Sequence, residues 1–472
     1  MPLRHILQGV TQPTTLPQPT DLRGRSVLVL GLGSFGGGSG TARALANLGA
    51  KVTVSDLRGP EALPEATSDL KGLPILWELG GHPDSIFTGQ LVVVNPAIPP
   101  TAPVLKTAVG HGCTLTNEVS LALAARPELR AMAITGTHGK STTASLASHL
   151  LTQAQIPNIL AGNLGGSLFE TVLDLPAETR LILELSSFQT EVLEAPVGWP
   201  EVSALTCLSQ DHLDRHNTLE NYWACKRRLL SKQNANSLCL LPAEGPGTDE
   251  WATTCKGEVR RLNPRTAENK NYLTASPFQE PWRVPSILAA IHGAIHLGFP
   301  ENALQTALPT WPGLPHRMQQ LPAPEGLHIV DNGVATHPEP TTVALQHAAQ
   351  PVVLCAGGYD KGLDLKELAE AISKHCVAVH LSGPGGIRLE KELHTLNFPH
   401  TTLHPNANSA YCAGVENLPP GRTLLLSPSF SSFDEFRNFR DRAQLFQNIC
   451  EKTLKTPKNG DVTRPLERTN KE

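Results

Sequence analysis

The stretch Ala131–Thr143, A-M-A-I-T-G-T-H-G-K-S-T-T, decides the fold of this chain. Its apolar residues Met132–Ile134 predict a buried strand, and the residues from Ser141 onward predict a helix. The glycines at 136 and 139 let backbone N–H groups crowd onto an anion, and the helix N-terminus adds a positive dipole end. Lys140 can reach outer phosphates and Ser141 can ligate Mg²⁺. One glycine of the full Walker A pattern is missing, because Ile134 stands there. The combination still predicts a nucleoside triphosphate site.

The length and the net charge of the chain limit the classes of function that it can have. A chain of 472 residues suggests about three domains. Lys and Arg number 39 against 43 Asp and Glu, a net charge of −4 that predicts neither a nucleic-acid nor a membrane partner. No apolar run approaches the ~20 residues of a membrane span, and residues 1–20 do not read as a secretory signal. The nine cysteines include no CxxC pair, which predicts free thiols in a cytoplasmic protein.

Another glycine loop, called the first glycine loop because it comes earlier in the chain, precedes the phosphate loop. The strand Ser26–Leu30 leads into G-L-G-S-F-G (31–36), a helix over Thr41–Leu48 and a strand Lys51–Ser55 that ends at Asp56. This β-α-β start predicts a parallel sheet. The glycine pattern fits the dinucleotide fingerprint and alone favours NAD. Since a simple dehydrogenase has no need for the other phosphate loop, we interpret this one as holding a nucleotide-diphosphate substrate, with an ordinary strand-end turn as the alternative.

Acidic and imidazole groups follow two later strands. Leu181–Glu184 is an apolar strand that ends in an acid, followed by S-S-F-Q (186–189). The segment Asp211–Asp214, D-H-L-D, follows the apolar strand Ser203–Leu208. Carboxylates at the carboxyl ends of parallel strands are placed to hold Mg²⁺. Either segment alone is also typical of a solvated loop; together with the phosphate loop they favour a Mg²⁺–nucleotide site.

Lys226 lies on an apolar helical stripe. The helix predicted over Leu219–Ser231 carries Tyr222, Trp223 and Leu229 on the face that also holds this lysine. A lysine on a buried face must snorkel, pair or lose its charge. Snorkelling is one reading. The other is a desolvated, neutral amine that reacts with CO₂ to form a carbamate, an anionic oxygen ligand for a metal.

The remaining chain predicts a third α/β unit. A proline-rich linker over Pro309–Pro315 precedes strands that alternate with helices. These strands are predicted near His328–Val330, Val352–Ala356, Val377–Leu381 and Thr423–Ser427.

Seven motifs in this order resemble the Mur ligases, over about residues 25–450. They are T-G-T-H-G-K-S-T-T, G-N-L-G (162–165), L-E-L-S-S-F-Q (183–189), D-H-L-D-R (211–215), P-H-R-M (315–318), G-G-Y-D-K-G (357–362) and L-S-P-S-F-S-S-F-D-E-F-R-N-F (426–439). The S-S-F-Q and S-P-S-F-S-S-F-D-E-F blocks favour the member that adds glutamate.

The resemblance implies a monomeric, ATP- and Mg²⁺-dependent amide ligase of cytoplasmic peptidoglycan synthesis. It would add D-glutamate to UDP-N-acetylmuramoyl-L-alanine through an acyl phosphate. The implied fold is α/β with three domains, of which the N-terminal one is Rossmann-like, the central one P-loop ATPase-like and the C-terminal one Rossmann-like. The expected boundaries are a UDP-substrate domain over 1–116 with a flexible N-terminal tail, an ATP domain over 117–313, an amino-acid domain over 314–454 and a disordered tail over 455–472.

The resemblance also implies roles for individual residues. Those implied for catalysis are Lys140, Glu184, His212 and Lys226. The residues implied as metal ligands are Ser141, Glu184, His212 and carbamylated Lys226. The residues implied to bind ATP are Gly136, Thr137, His138, Gly139, Lys140, Ser141, Thr142, Arg317 and Asp331. The UDP-substrate would contact Ser34, Phe35, Asp56, Arg58, Asn163, Ser186 and Gln189. The amino acid would contact Thr336, Lys361, Ser432 and Phe439.

The chain departs from the family pattern at two places. Residues 282–286, W-R-V-P-S, replace a stretch with asparagines that contact the nucleotide. In D-N-G-V-A-T-H (331–337), Asn332 replaces an acid and Val334 replaces a lysine near ATP. Either neighbours such as Asp331 and Arg283 substitute, or ATP binding is weakened. The alternative functions are therefore a related amide ligase for another amino acid, such as a folylpolyglutamate-synthase-like enzyme, and a UDP-sugar-binding homologue with impaired ATPase activity.

Overall fold

The computed structural model describes residues 16–33, 35–278 and 281–455. Its three sheets lie in two compact units, one ending at Trp311 and the other beginning at Pro312. Helices alternate with strands throughout, and the α/β class predicted from the sequence is confirmed. The predicted domain boundaries stay predictions, and the tail over 456–472 lies outside the described residues.

The first sheet is parallel and has the strand order β3-β2-β1-β4-β5. Its strands are β1 (Ser26–Leu30), β2 (Lys51–Asp56), β3 (Ile75–Leu79), β4 (Leu91–Val94) and β5 (Thr114–Thr116). The helices of this part are α1 (Gly37–Asn47), α2 (Pro64–Asp69), α3 (Pro103–Gly110) and α4 (Glu118–Ala125). Asn117 caps α4, since its side chain accepts the N–H of Ser120 at 2.8 Å. The glycine loop after β1 therefore sits at the carboxyl edge of a parallel sheet, where ligands bind in such folds.

The second sheet is also parallel, with the order β11-β10-β9-β6-β8-β7. Its strands are β6 (Ala131–Thr135), β7 (Asn158–Gly162), β8 (Arg180–Glu184), β9 (Val202–Leu205), β10 (Leu238–Pro242) and β11 (Glu258–Leu262). The helices are α5 (Lys140–Gln153), α6 (Leu168–Val172), α7 (Ser187–Thr190), α8 (Leu213–His216), α9 (Leu219–Arg227), α10 (Thr248–Thr254), α11 (Ala267–Thr274), α12 (Val284–His296) and α13 (Leu304–Ala307). Strand β6 lies between β8 and β9, so the phosphate loop is flanked by the ends of both.

The third sheet belongs to the second unit and has the order β12-β13-β17-β14-β15-β16. It is parallel except for the β12–β13 pair. Its strands are β12 (Gln319–Leu321), β13 (His328–Asp331), β14 (Val352–Gly357), β15 (Cys376–Ser382), β16 (Thr401–His404) and β17 (Thr423–Ser429). The helices are α14 (Pro338–His347), α15 (Lys366–His375), α16 (Gly383–Thr395), α17 (Ala407–Glu416) and α18 (Phe439–Lys455).

One hydrophobic cluster runs through both sheets of the first unit. It contains Val27 and Val52 from the first sheet, Ala133 and Leu183 from the second, and Leu121 from α4. These side chains are all nearly inaccessible to solvent. The first two sheets therefore share a continuous apolar core, which fixes the two glycine loops relative to each other.

Two predicted elements were too long. Strand β9 ends at Leu205 instead of Leu208, because residues 206–209 turn across the phosphate loop and bond it through their backbone. Helix α9 ends at Arg227, and Arg228–Leu230 form a 3₁₀ turn instead of continuing to Ser231.

All nine cysteines are unpaired, as predicted. Among the described helices, none has the length and apolar character needed to cross a bilayer.

Candidate nucleotide and metal site

The phosphate loop joins β6 to α5 through two glycines that adopt positive φ angles, 147° at Gly136 and 84° at Gly139. A Cβ at Gly136 would overlap Thr206 Oγ1, and a Cβ at Gly139 would overlap Ser286 Oγ. Both positions are therefore restricted to glycine by sterics as well as by backbone conformation. Thr142, in the first turn of α5, is buried.

Two lysines converge on one carbonyl oxygen of this loop. Lys140 Nζ donates to Gly136 O at 3.0 Å and to Thr137 O at 2.9 Å. Lys226 Nζ, which comes from α9, donates to the same Gly136 O at 2.8 Å. The charge of Lys140 at this carbonyl disfavours a second positive charge on the Lys226 amine.

The Lys226 side chain is 2% exposed, which excludes snorkelling. Its Nζ lies 4.6 Å from the centre of the Tyr222 ring. Burial, and after it repulsion from Lys140, lowers the pKa of Lys226 to about 7. A large share of this amine is therefore neutral and nucleophilic near pH 7, as the carbamate hypothesis requires.

Ser141, Glu184 and Asn163 form a second hydrogen-bonded group beside the loop. Ser141 Oγ donates to Glu184 Oε2 at 2.6 Å, and Asn163 Nδ2 donates to Glu184 Oε1 at 3.3 Å. Glu184 ends β8 and is 3% exposed. A buried carboxylate beside the loop's hydroxyl is a donor set that Mg²⁺ accepts. The residues present therefore fit the ion.

Residues after β9 brace the loop from the other side, and they were not predicted as part of the site. Thr137 N donates to Cys207 O at 2.9 Å, and Ser209 N donates to Thr137 Oγ1 at 3.0 Å. His138 O accepts the hydroxyl of Thr206. This contact could have been predicted from the sequence, because the end of a neighbouring parallel strand must lie beside the loop. Within the described residues, Ser209 Oγ is buried and has no hydrogen-bond partner.

His212 is the N-cap residue of α8 and is partly exposed. Its backbone φ angle is 50°, and about half of its side chain is exposed. Its Nε2 atom lies 3.4 Å from Asp211 Oδ2. The ring packs on Phe188, with centroids 4.9 Å apart, and lies 6.2 Å from the Tyr222 ring. Tyr222 thus contacts both His212 and Lys226. A metal role for His212 stays a prediction.

A buried cluster behind Phe188 was not predicted. Arg215 donates to both carboxylate oxygens of Glu191, at 2.6 and 3.0 Å. His216 Nδ1 lies 3.5 Å from Glu191 Oε1 and 3.7 Å from Cys225 Sγ. Burial lowers the pKa of His216 to about 4 and raises that of Cys225 to about 12. A neutral imidazole, a protonated thiol and an arginine-paired carboxylate make this a structural anchor of the D-H-L-D-R segment.

The first glycine loop holds an internal ion pair. Arg58 Nε donates to Asp56 Oδ1 at 3.0 Å, and Leu32 N donates to Asp56 Oδ2 at 2.9 Å. Burial alone would raise the pKa of Asp56, but these hydrogen bonds outweigh it and lower the pKa to about 2. Phe35 is 82% exposed at the tip of the loop. Ser34 lies outside the described residues, and the UDP-substrate role of this loop stays a prediction.

Ser186 and Gln189 form a capping box at the start of α7. Gln189 N donates to Ser186 Oγ at 3.3 Å, and Ser186 N donates to Gln189 Oε1 at 3.0 Å. Their predicted contact with a substrate stays a prediction, because these side chains already have local partners. Beside them lies a mostly apolar cavity of about 250 Å³, with Ile98, Phe188 and Arg215 in its wall.

The second unit contains the remaining predicted residues. Asp331 is fully buried, and its carboxylate accepts Gly333 N at 2.8 Å and Gln447 Nε2 at 2.7 Å, with His316 Nδ1 also at 2.7 Å. These contacts favour internal bracing, and its ATP contact stays a prediction. Asn332 is held similarly, by Ser427 and the Met318 amide. Arg317 is half-buried, and its role likewise stays a prediction.

The four residues predicted for the amino acid are brought together in part. Thr336 and Lys361 line one depression together with Ser431. Neither Ser432, which is buried, nor Phe439, which is half-buried at the start of α18, is among the residues that line that depression. The binding role of all four stays a prediction.

Comparison with known proteins agrees with this architecture. The Mur ligase middle domain matches residues 134–280. A UDP-N-acetylmuramoylalanine–D-glutamate ligase of Roseiflexus sp. is 32% identical over 462 residues, which cover 91% of this chain and 99% of the relative. An enzyme of the same name from Caldanaerobacter subterraneus is 30% identical, over 90% of this chain and 98% of its own. The crystal structure of UDP-N-acetylmuramate-alanine ligase from Thermotoga maritima shares the fold, with a TM-score of 0.54 at 16% identity, over 91% of this chain and 100% of that one. With identity of this level over nearly the whole of both chains, the protein belongs to the Mur ligase family.

Proposed function

We propose that this chain is an ATP-dependent ligase that joins D-glutamate to UDP-N-acetylmuramoyl-L-alanine in cytoplasmic peptidoglycan precursor synthesis. The observation that carries the proposal is the hydrogen-bonded Ser141–Glu184–Asn163 group, centred on the buried carboxylate of Glu184, beside the phosphate loop. It occurs in a chain whose relatives at 32% and 30% identity bear the name of that ligase.

The phosphate loop would position ATP. Backbone N–H groups at the start of α5 point at the phosphates, and the helix dipole favours their charge. Lys140 would leave the Gly136 and Thr137 carbonyls for the outer phosphate oxygens, because an ammonium binds an anion more strongly than a neutral carbonyl. Ser141 and Glu184 would hold Mg²⁺. When bound, that ion neutralises charge on the phosphate oxygens.

The chemistry consists of two displacements. The alanine carboxylate of the UDP-substrate attacks the γ-phosphorus, ADP leaves, and an acyl phosphate forms. The amine of D-glutamate then attacks the acyl carbon, and inorganic phosphate leaves. The protein contributes mainly positioning and charge neutralisation to both displacements. Asn163 would orient the substrate beside Glu184. Lys226, carbamylated, would add an anionic oxygen ligand at a second metal, with His212 as a further ligand.

The amino acid would bind at the depression lined by Thr336 and Lys361. A cation there matches the side-chain carboxylate of glutamate. This preference for an acidic amino acid separates the proposal from a ligase that adds a neutral one.

The test is phosphate release from ATP by the full chain. We expect release only when UDP-N-acetylmuramoyl-L-alanine and D-glutamate are both present, with L-glutamate, L-alanine and D-alanine inactive in place of D-glutamate. Equal turnover with L-alanine would overturn the amino-acid assignment. Binding of the UDP-substrate without any ATP turnover would favour the ATPase-impaired homologue.

A further inference from the structure

The loop that follows β4 packs against the first glycine loop. We call residues 95–100 the β4 loop. A Cβ added at Gly31 would lie 3.2 Å from both Asn95 Cβ and Ile98 Cδ1, and one added at Gly33 would overlap Asn95 Nδ2. The two loops are therefore in close contact, and the position of the first glycine loop depends on that of the β4 loop.

Arg215, in α8, connects the β4 loop to the part of the chain that forms the second sheet. Its Nη1 donates to Ala97 O at 3.3 Å, and its Nη2 donates to Ile98 O at 3.2 Å. The same guanidinium donates to both carboxylate oxygens of Glu191, and both side chains of this ion pair are buried. A two-point bond to a carboxylate fixes the plane of the guanidinium. The β4 loop is therefore held at a defined place.

Ring contacts continue from Arg215 to the phosphate loop. Its guanidinium carbon lies 4.0 Å from the centre of the Phe188 ring. The Phe188 ring packs on that of His212, and the His212 ring meets that of Tyr222 edge-on. The Tyr222 hydroxyl donates to Thr137 Oγ1 of the phosphate loop at 3.4 Å. A continuous set of contacts thus runs from one glycine loop to the other, with Arg215 in the middle.

The separation of the two loops matters for the proposed reaction. A substrate held at the first glycine loop must present its carboxylate to a nucleotide held at the phosphate loop. A misplacement of about 1 Å between reacting groups can cost about 100-fold in rate. The tip of the first glycine loop has a further bond, from Gly166 N to Phe35 O at 2.8 Å. Loss of the Arg215 bonds would therefore shift this loop without releasing it.

We propose that Arg215 is a positioning residue for the ligation, which sets the separation of the two bound substrates by holding the β4 loop. The inference rests on the proposed function, since it requires one substrate at each glycine loop. The expected effect is on kcat and not on the affinity for either substrate, because the groups that bind each of them stay in place.

The test is the kinetics of phosphate release by the full chain, together with calorimetric titration of the UDP-substrate and of a non-hydrolysable ATP analogue. The single ammonium group of Arg215→Lys keeps a positive charge beside Glu191 but cannot bond the carboxylate and two carbonyls at once. We expect kcat to fall about 10- to 100-fold, with both affinities unchanged.

Arg126→Lys is the matched control. Arg126 also pairs with an acid, Glu128, and donates to two carbonyls, those of Val172 and Leu175, at 2.8 and 2.7 Å. Its bonds do not involve the β4 loop. This variant should therefore keep the kcat of wild type.

A second variant carries the test if Arg215→Lys folds poorly. Ile98→Ala removes the Cδ1 atom that lies next to Gly31 and leaves the buried ion pair intact. It should also lower kcat with unchanged affinities. In the double variant, the two losses of kcat should be less than additive in free energy, because both changes break the same connection.

The kcat of wild type in folded Arg215→Lys or Ile98→Ala would overturn the inference, as would fully additive losses in the double variant. A loss of kcat in Arg126→Lys as large as that in Arg215→Lys would overturn it too, and so would weaker UDP-substrate binding that accounts for the whole defect. Failure of wild type to release phosphate with both substrates and D-glutamate would instead overturn the proposed function, and this inference with it.

Discussion

At the residue scale, the most informative side chain is Lys226, whose amine is buried and shares the Gly136 carbonyl with Lys140. Its pKa of about 7 means that the neutral form dominates above that pH, whereas an ordinary lysine is almost fully protonated there. Carbamate formation needs the neutral form, and protonation of the amine reverses it.

We therefore expect Lys226→Ala to be nearly inactive and to be partly rescued by a short carboxylic acid that fills the vacated space. Wild-type activity should fall below pH 7, where the amine protonates, and recover on addition of bicarbonate. The measurements are phosphate release and the carbamate signal in ¹³C NMR with labelled bicarbonate. The control is Lys232→Ala, a surface lysine paired with Glu194. Absence of both the signal and the rescue would refute the carbamate.

Glu118 gives a prediction about stability. Burial outweighs its hydrogen bonds and raises the pKa of this carboxyl from 4.5 to about 7. A raised pKa means that the folded state prefers the protonated acid, so stability is lost as the pH rises from about 4.5 through 7. Glu118→Gln should remove that loss, stabilising the protein on the order of 2–3 kcal/mol at pH 8.5 and much less at pH 5.

Chemical unfolding at the two pH values measures the Glu118 effect. Glu128→Gln is the matched control, because the Glu128 carboxylate is about half exposed and pairs with Arg126. It should give no gain at pH 8.5. An equal effect of Glu118→Gln at both pH values would show that packing, and not ionisation, is responsible.

At the scale of elements, the phosphate loop depends on one steric relation between α5 and α12. Gly139 has positive φ, and a side chain there would overlap Ser286 Oγ. Gly139→Ala should therefore raise the KM for ATP at least about tenfold, because the strain of roughly 1–2 kcal/mol for an L-residue adds to the overlap. Gly72→Ala is the control: φ there is 86° and no atom lies within 4 Å of the added Cβ. It should carry the backbone strain alone and keep the KM of wild type.

The elements also show what the sequence could and could not predict. Strand β1 was predicted with its bounds, because a run of apolar residues between two glycine turns indicates a buried strand. Strand β3 was missed, since its alternate residues Leu76 and Glu78 are exposed and the strand lies at a sheet edge. The Ser141–Glu184 contact followed from the rule that parallel strand ends meet. The Lys226–Gly136 bond could not be predicted, because it depends on how α9 crosses the loop.

At the scale of the whole molecule, the proposed binding functions divide between the two units. Lys361 lies in the second unit, and both glycine loops, one of which is the phosphate loop, lie in the first. Lys361→Ala should raise the KM for D-glutamate about 10- to 150-fold, since a charge-assisted hydrogen bond is worth roughly 1.5–3 kcal/mol. Affinity for the nucleotide and the UDP-substrate should be unchanged in calorimetry. Lys366→Ala, an exposed lysine at the start of α15, is the control. A matching loss of nucleotide affinity would contradict this division.

The apolar cluster shared by the first two sheets has a practical consequence for dissecting the protein. A fragment cut after residue 116 would uncover part of the apolar face of α1, which carries Leu45, because α4 and α6, which pack against α1, come later in the chain. Exposed apolar surface of that kind promotes aggregation. The smallest soluble truncation that carries the first glycine loop should therefore end near Trp311, and a second separate expression product should begin near Pro312.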